Sequence, residues 1–171
     1  DDQVKIVSKQ LLNRLSLTKE CELGEEPAPA KLIWPIKDEP KILAITRKGR
    51  VGVVKWEFAG QQPGLLEKFL PNGLEGDPVV SLLCLPSNEN LSLGLLSSDG
   101  RFKRLAIEEI LDISGRASTI LKLKDRVILK DAVICDPNGD VILATDIGRV
   151  MRIKINDSNM PFMGKLAQGQ L

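Results

Sequence analysis

Short apolar runs separated by turn residues recur along the whole chain. The runs are rich in Val, Ile and Leu, and turn residues follow about every eight to twelve positions, which is typical of strands in an all-β protein. Two short stretches, residues 65–70 and 107–113, are expected to form single helical turns. Neither is long enough to be a helix with its own core, so the pattern predicts an all-β fold.

One pattern occurs three times in the chain. Residues 41–56, 91–107 and 140–155 each contain an apolar run, a Thr or Ser, two turn residues, a Gly-Arg pair and a second, alternating apolar run. The glycines of these pairs are Gly49, Gly100 and Gly148, which are 51 and 48 residues apart. In the opening segment QVKIVSKQLLNRLSL, Gln10 stands where the glycine is expected, which indicates a fourth, shorter copy.

Each repeat predicts a β-hairpin. The first strand is expected to end at Thr46, Ser97 or Thr145, and the following glycine supplies the positive φ that a tight turn needs. The stretches before the hairpins carry turn residues of their own, at residues 38–40, 86–90 and 137–139, and predict a further hairpin in each repeat. With a fourth strand in the links, for instance at residues 118–123, each repeat would hold four strands.

Four-stranded units that repeat at about 50 residues are typical of β-propeller blades, whose faces become buried when the blades stack. We therefore predict a single domain over residues 1–171 with three to four blades and repeat anchors near residues 10, 49, 100 and 148. Because the chain starts and stops inside a repeat, we interpret it as part of a longer array of blades. A solenoid of another kind is the alternative.

Basic residues are concentrated at the repeated turns, although the whole chain has 24 Lys and Arg against 23 Asp and Glu. The basic residues of the three turns and of the strands after them are Arg47, Lys48, Arg50 and Lys55, then Arg101, Lys103 and Arg104, and finally Arg149, Arg152 and Lys154. In a stack of blades they would form a positive stripe suited to the phosphates of DNA. Solvated hairpin tips are the alternative. Arg104 and Arg152 alternate with apolar residues, so a structural role and a DNA contact are equally open for them.

The composition argues against catalysis, because the chain has neither His nor Tyr. Ser-His-Asp and Cys-His machinery, His-ligated zinc and a tyrosyl nucleophile are therefore excluded. Cys21, Cys84 and Cys135 are far apart and lack CxxC spacing, so a metal site and a disulfide framework are not expected and a reducing compartment is favoured. No phosphate-binding loop is present, and the apolar runs are too short to cross a membrane. The sequence predicts no catalytic residue, no metal and no cofactor.

The hairpins ILAITRKGRVGVVKW, LGLLSSDGRFKRLAI and ILATDIGRVMRIKI resemble the repeats of the carboxy-terminal domain of bacterial DNA gyrase, in its A subunit, and of the related topoisomerase IV subunit. In that family the repeat is an apolar strand, Thr or Ser, a turn with Gly, and a strand that carries Lys or Arg. The family's hallmark basic loop, Gln-Arg-Arg-Gly-Gly-Lys-Gly, is absent. The segments ISGRAS, with Arg116, and MGKLAQG, with Lys165, match it only in part.

The resemblance implies a spiral β-propeller, the β-pinwheel, whose basic rim binds, bends and wraps duplex DNA without reading its sequence. The chain would be a non-enzymatic part of a type II DNA topoisomerase, within its DNA-cleaving polypeptide, and would support negative supercoiling. Its partners would be duplex DNA, the catalytic core of that polypeptide and the separate ATPase polypeptide of the enzyme. The location would be the bacterial cytoplasm at the nucleoid, or a plastid, with no membrane contact.

The DNA-binding residues would be those of the three turns together with Arg116 and Lys165. Whether the parent protein is of the gyrase or the topoisomerase IV type stays open at this point. The alternative function is a protein-interaction propeller without DNA binding, with the acidic loop at residues 20–26 or the apolar segment 65–74 as its contact. An enzyme that uses Lys or carboxylates finds no supporting constellation.

Overall fold

The structure is a computed structural model that describes residues 3–4, 41–55, 64–86, 88 and 90–170. Its contacts divide the chain into two compact units, residues 1–40 with 55–69 and residues 41–54 with 70–171. In the first unit, β1 (Gln3–Val4) pairs antiparallel with β4 (Gly64–Leu65), and a 3₁₀ turn follows at Leu66–Phe69. The repeat anchor predicted near Gln10, the acidic loop at residues 20–26 and Cys21 lie outside the described residues.

The second unit contains the three repeated hairpins. Its elements are β2 (Ile42–Thr46), β3 (Arg50–Val53), β5 (Val79–Cys84), β6 (Ser92–Ser97), β7 (Phe102–Ala106), α1 (Glu108–Leu111), β8 (Ser118–Thr119), β9 (Leu129–Cys135), β10 (Asp140–Ala144) and β11 (Val150–Lys154). The two helical turns predicted from the sequence are confirmed. No helix within the described ranges combines the length and apolar character that crossing a bilayer requires.

Three antiparallel sheets are built around the repeated hairpins. The first sheet has the strand order β5-β2-β3-β8, the second β7-β6-β9, and the third consists of β10 and β11. The turns contain the predicted glycines at positive φ: Gly49 at 72°, Gly100 at 80° and Gly148 at 79°. The three hairpins predicted at the Gly-Arg turns and the all-β fold are therefore confirmed. The further hairpin predicted at residues 38–40 lies outside the described residues.

The outer side of β3 and of β7 is covered in the same way. β8 lies beside β3 with Ser118 opposite Val51, so the link strand predicted at residues 118–123 exists but is shorter. On β7, Phe102 forms an antiparallel bridge with Gln170 at the equivalent place. A segment from later in the chain thus closes this edge of both sheets.

The strand before each later hairpin pairs with the preceding sheet, so the predicted extra hairpins at residues 86–90 and 137–139 are wrong. β5 pairs with β2, with Leu43 opposite Leu83, and β9 pairs with β6, with Gly94 opposite Val133. The open edges of β2 and β6 present N–H and C=O groups that these strands satisfy. Each of the first two sheets therefore includes a strand that lies next to the following hairpin in sequence.

The main core lies between the first two sheets and their links. Fully or almost fully buried members from the two hairpins are Leu43, Ile45, Val51, Leu93, Leu95 and Leu105. A second, smaller cluster joins Cys135 of β9 to Val141 and Ile155 of the third hairpin region and to Met160. Burial raises the pKa of the Cys135 thiol, as expected for a cysteine that acts as a small apolar side chain.

Candidate nucleic-acid interface

The first hairpin turn is organised by a carboxylate that comes from a distant part of the sequence. Asp77, which is 4% exposed, accepts a hydrogen bond from the Thr46 hydroxyl at 2.6 Å and another from the Lys48 backbone N–H at 3.2 Å. The acid is thus inside the turn, while the side chains of Arg47 and Lys48 are exposed. Neither forms an ion pair with another residue of the part of the chain that the structure describes.

A basic link is clamped onto this turn at both of its ends. We use "basic link" for residues 120–130, which follow β8 and include the first two residues of β9. At one end, the Gly49 carbonyl accepts hydrogen bonds from the N–H groups of Ile120 at 2.9 Å and Leu121 at 3.2 Å. At the other end, the N–H of Leu129 donates to the Arg47 carbonyl at 2.8 Å. The link therefore leaves the turn and returns to it.

The basic link carries four basic residues and one acidic residue, Asp125; a second acidic residue, Asp131, follows directly after it. The tip is a tight turn in which the Val127 N–H donates to the Lys124 carbonyl at 3.1 Å, and Arg126 has a φ of 63°. A positive φ costs energy in a residue with a Cβ, so Arg126 is held in a conformation that such residues rarely adopt.

Together with the first turn, the link forms what we call the basic cluster: Arg47, Lys48, Lys122, Lys124, Arg126 and Lys130.

Arg47 and Lys48 could be identified from the sequence, but the four cations of the link were missed. The prediction rested on basic residues at the Gly-Arg turns, whereas the link is connected to the first turn by backbone hydrogen bonds across 71 or more residues. The signal that was present is the spacing of Lys122, Lys124 and Arg126 around a single acid. This pattern indicates a charged loop, but not the hairpin to which the loop is attached.

The second hairpin turn neutralises its own charge. The Ser97 hydroxyl donates to Asp99 at 2.5 Å, and the Arg101 Nε lies 3.2 Å from the same carboxylate. These hydrogen bonds, with that of Ser97 the larger effect, lower the pKa of Asp99. Arg101 also donates to the Gly169 carbonyl at 3.3 Å, so this turn offers little free positive charge.

Lys103 is buried, which corrects its assignment as a DNA contact. Its side chain is 1% exposed, and Nζ donates to the carbonyls of Ile120 at 2.7 Å, Lys165 at 2.7 Å and Ala167 at 3.3 Å. Burial lowers the pKa of Lys103 to about 8, and the charge of Glu109 opposes this shift. The ammonium group therefore joins the start of the basic link to the tail of the chain.

Arg104 is buried as well, so of its two open roles the structure shows the structural one. It donates to Ser92 Oγ at 3.2 Å and to the Met160 carbonyl at 3.1 Å, and it pairs with Asp157 at 3.1 Å. Its guanidinium lies 3.7 Å from the centroid of the Phe162 ring, a cation–π arrangement. Arg152, its counterpart in the third hairpin, is exposed and pairs with Asp140 through Nε at 2.9 Å.

The other predicted residues are spread over the surface. Arg116, Arg149 and Lys154 are exposed, Arg50 is half-buried, and Lys55 is exposed in the first unit. Lys165 is half-buried, with Nζ 3.8 Å from Glu109. The predicted set thus divides into two residues of the basic cluster, three that hold the tail of the chain, and single cations elsewhere.

An open depression of about 840 Å³ lies beside α1 and carries both charge signs. Glu108, Glu109 and Asp112 line it together with Arg116 and Lys165. Among the described residues, no group of three His, Cys, Asp or Glu side chains is placed to hold a metal ion. The basic cluster therefore remains the site with the clearest chemical preference, which is for a polyanion.

Comparisons with known proteins support the fold. No protein-family model matches the chain, and no curated protein matches it in sequence. The chain is similar to the solved C-terminal domain of DNA topoisomerase IV (TM-score 0.64, 14% identity, 77% of this chain and 42% of that one) and to the DNA gyrase A C-terminal domain (0.63, 14%, 79% and 43%). It is also similar to the E. coli ParC C-terminal domain (0.59, 16%, 78% and 54%).

At these identities the likeness concerns the fold. The chain spans between 42% and 54% of the length of these structures. The predicted resemblance and the predicted β-pinwheel fold are confirmed at this level.

Proposed function

We propose that the chain binds duplex DNA through the basic cluster, by phosphate contacts that carry no sequence information. The supporting observation is that the basic link is hydrogen-bonded at both ends to the first hairpin turn and that all six cations of the basic cluster are exposed. Lys and Arg contacts to phosphates supply affinity and register without base readout. The acid of the turn, Asp77, is buried and hydrogen-bonded to the Thr46 hydroxyl and the Lys48 N–H, and it forms no ion pair with the exposed cations of the described residues.

We further propose that the chain belongs to the C-terminal domain of a type II topoisomerase, in its DNA-cleaving polypeptide, and helps to bend and wrap DNA there. The similarity to the gyrase A and topoisomerase IV domains supports this assignment, as does the absence of Tyr and His, since such a domain holds DNA but does not cut it. The partners would be the catalytic core of the same polypeptide and the separate ATPase polypeptide, in the bacterial cytoplasm. Bending the duplex costs energy that additional phosphate contacts offset.

Salt-dependent binding tests the first proposal. With about six phosphate contacts, the logarithm of the binding constant for a duplex of about 150 base pairs should fall with the logarithm of salt concentration at a slope near −5. Fluorescence anisotropy or gel shift at several salt concentrations measures this slope. Binding that is indifferent to salt contradicts the proposal.

A charge-reversal variant locates the site. The triple variant Lys122→Glu, Lys124→Glu, Arg126→Glu should lose most of the affinity and reduce the salt slope by about three. The matched control is Arg116→Glu, Arg149→Glu, Lys154→Glu, which makes the same change in net charge at exposed cations outside the basic cluster. If both variants lose affinity equally, the basic cluster is not the site.

Wrapping is tested separately. Closed circular DNA is relaxed by an added topoisomerase I in the presence of the chain, and the linking number is read after the protein is removed. The chain should leave a shifted distribution of topoisomers, and the link variant should not. Binding without any shift would keep the DNA-binding proposal and overturn the wrapping proposal.

A further inference from the structure

Two four-residue turns of the chain have the same backbone conformation. Residues 74–77 form the first return turn, shortly before β5, and residues 124–127 form the second, shortly before β9. In each, the N–H of the fourth residue donates to the carbonyl of the first at 3.1 Å. The third residue has almost the same positive φ, which is 64° at Gly76 and 63° at Arg126. The tip of the basic link therefore repeats the backbone of the earlier turn.

Each return turn lies beside the hairpin turn of its own sheet. The Arg47 N–H donates to the Pro78 carbonyl at 2.9 Å next to the first return turn, and the Ser98 N–H donates to the Ile128 carbonyl at 2.8 Å next to the second. Arg47 and Ser98 both stand two residues before their turn glycine. The two return turns are therefore equivalent parts of neighbouring repeats and can be compared residue by residue.

The two return turns differ in charge. The first has the sequence LEGD, with two acidic residues and no basic one, whereas the second has the sequence KDRV, with two basic residues and one acidic residue. The acid that organises the first hairpin turn, Asp77, has the uncharged Val127 as its counterpart. One backbone thus carries negative charge in one repeat and positive charge in the next.

Arg126 stands at the position where the first return turn has a glycine. Gly adopts a positive φ without strain, but a residue with a Cβ does not. A Cβ on Gly76 would have open space around it, and Arg126 is itself exposed. Packing therefore gives no reason for a long side chain at this place. A cation in a strained backbone conformation on the surface indicates that the side chain serves a ligand outside the chain.

We propose that Arg126 contacts a DNA phosphate directly and that the second return turn holds it in place for this contact. The inference rests on the proposed binding of duplex DNA by the basic cluster and names one residue that touches the ligand there. A guanidinium matches the two oxygens of a phosphate with two parallel hydrogen bonds. The backbone hydrogen bonds that fix the turn reduce the ordering that binding would otherwise require.

Two substitutions of Arg126 separate its charge from its backbone strain. Arg126→Gln removes the charge but keeps the Cβ, and Arg126→Gly removes both the charge and the strain. Each should weaken binding to a duplex of about 150 base pairs about tenfold and lower the salt slope by about one. Arg149→Gln is the matched control, because Arg149 is an exposed arginine outside the basic cluster, and it should bind within about twofold of the wild type.

Urea unfolding of the same variants distinguishes a DNA contact from a structural role. Arg126→Gln should unfold at the urea concentration of the wild type, and Arg126→Gly at the same concentration or a higher one, since Gly relieves the strain. If Arg126→Gln unfolds at a lower urea concentration than the wild type, Arg126 stabilises the chain itself and the proposal is overturned. An equal loss of DNA affinity in Arg149→Gln overturns it as well.

The triple charge-reversal variant of the basic link separates this proposal from the proposed function. If that triple variant loses affinity while Arg126→Gln binds like the wild type, DNA binding by the basic cluster stands and the contact by Arg126 is overturned. If the triple variant also binds like the wild type, the basic cluster is not the site and both proposals are overturned.

Discussion

The first and second hairpin turns have similar backbone conformations but differ in whether their basic side chains are paired with an acid. In both, a hydroxyl at the end of the first strand donates to a carboxylate, and a glycine takes a positive φ. The carboxylate of the first turn, Asp77, comes from 31 residues away and is buried, whereas that of the second turn, Asp99, lies within the turn itself. Within the described residues, Arg47 and Lys48 of the first turn form no ion pair, whereas Arg101 of the second turn pairs with Asp99.

The strands after the two turns continue the contrast. In β3, Gly52 occupies the place that Lys103 occupies in β7, and the segment around Pro71 packs so closely that a Cβ on Gly52 would lie 2.3 Å from the Pro71 side chain. In the second hairpin, Arg101, just before β7, and Lys103 and Arg104 of β7 each donate to a backbone carbonyl of residues 160–169. Equivalent positions of the two strands therefore have different roles, depending on what lies over the strand.

Among the substitutions considered, Lys103→Met in the second hairpin should reduce stability the most. The change keeps an apolar stem but removes the donor of three carbonyls, so we expect the free energy of unfolding to fall by about 3 kcal/mol. Urea unfolding measures the loss. Lys154→Met, at an exposed strand position, is the control and should change stability by less than about 0.5 kcal/mol. Similar losses in both variants would show that the buried ammonium is not structural.

Asp77→Ala should come next, because it removes the acceptor of a fully buried hydroxyl. We expect a loss of about 2 kcal/mol in the free energy of unfolding, together with altered DNA binding as the first turn loses its shape. Asp99→Ala is the counterpart in the second turn, where the carboxylate is open to water, and should have little effect on stability. If the two alanine variants unfold at the same urea concentration, the buried carboxylate does not stabilise its turn more than the exposed one does.

The turn glycines give a smaller difference. Gly49→Ala and Gly100→Ala both force a Cβ into a positive φ, which costs about 1 kcal/mol. A Cβ at Gly49 would also lie 2.6 Å from the Leu121 carbonyl, whereas a Cβ at Gly100 has open space around it. Gly49→Ala should therefore cost about 1 kcal/mol more in thermal or urea unfolding and weaken DNA binding by shifting the basic link. Equal losses would argue against a fixed link.

The last expected effect is a pH dependence. The pKa of Lys103 is about 8 in the folded chain and lies below its ordinary value of 10.5, so the unfolded chain binds more protons between these values. The stability of the wild type relative to Lys103→Met should therefore rise with pH from about 8 to 10. Urea unfolding of the two proteins at about pH 7, 8, 9 and 10 measures the difference. A constant difference, or one that falls with pH, contradicts the assignment.

The repeated hairpins could be predicted from the sequence because their determinants are local. Alternating apolar residues, a hydroxyl residue and a glycine at fixed spacing specify strand, turn and strand within about fifteen residues. Strand pairing beyond the hairpin was predicted wrongly, since β5 and β9 join the sheet before them. A turn sequence such as that at residues 137–139 reverses the chain, but it does not decide whether the two flanking strands pair.

The candidate site was harder to predict because charge availability depends on contacts between distant residues. The sequence shows Arg47 and Lys103 as similar basic residues near Gly-Arg turns. Only the structure shows that one is exposed, while the other is covered by carbonyls of residues 120, 165 and 167. The same limit explains why the cations of the basic link were missed.

The strand exchange between neighbouring sheets has a consequence for how the unit comes apart. β5 and β8 complete the first sheet and β9 completes the second, so each of these sheets contains strands from more than one sequence repeat. Removing any one repeat therefore removes a strand from a neighbouring sheet. Loss of one repeat would uncover edges and apolar faces of the one before it. The first two sheets should therefore melt in a single cooperative step rather than one repeat at a time, and a deletion that follows the sequence period would unfold more of the chain than it removes.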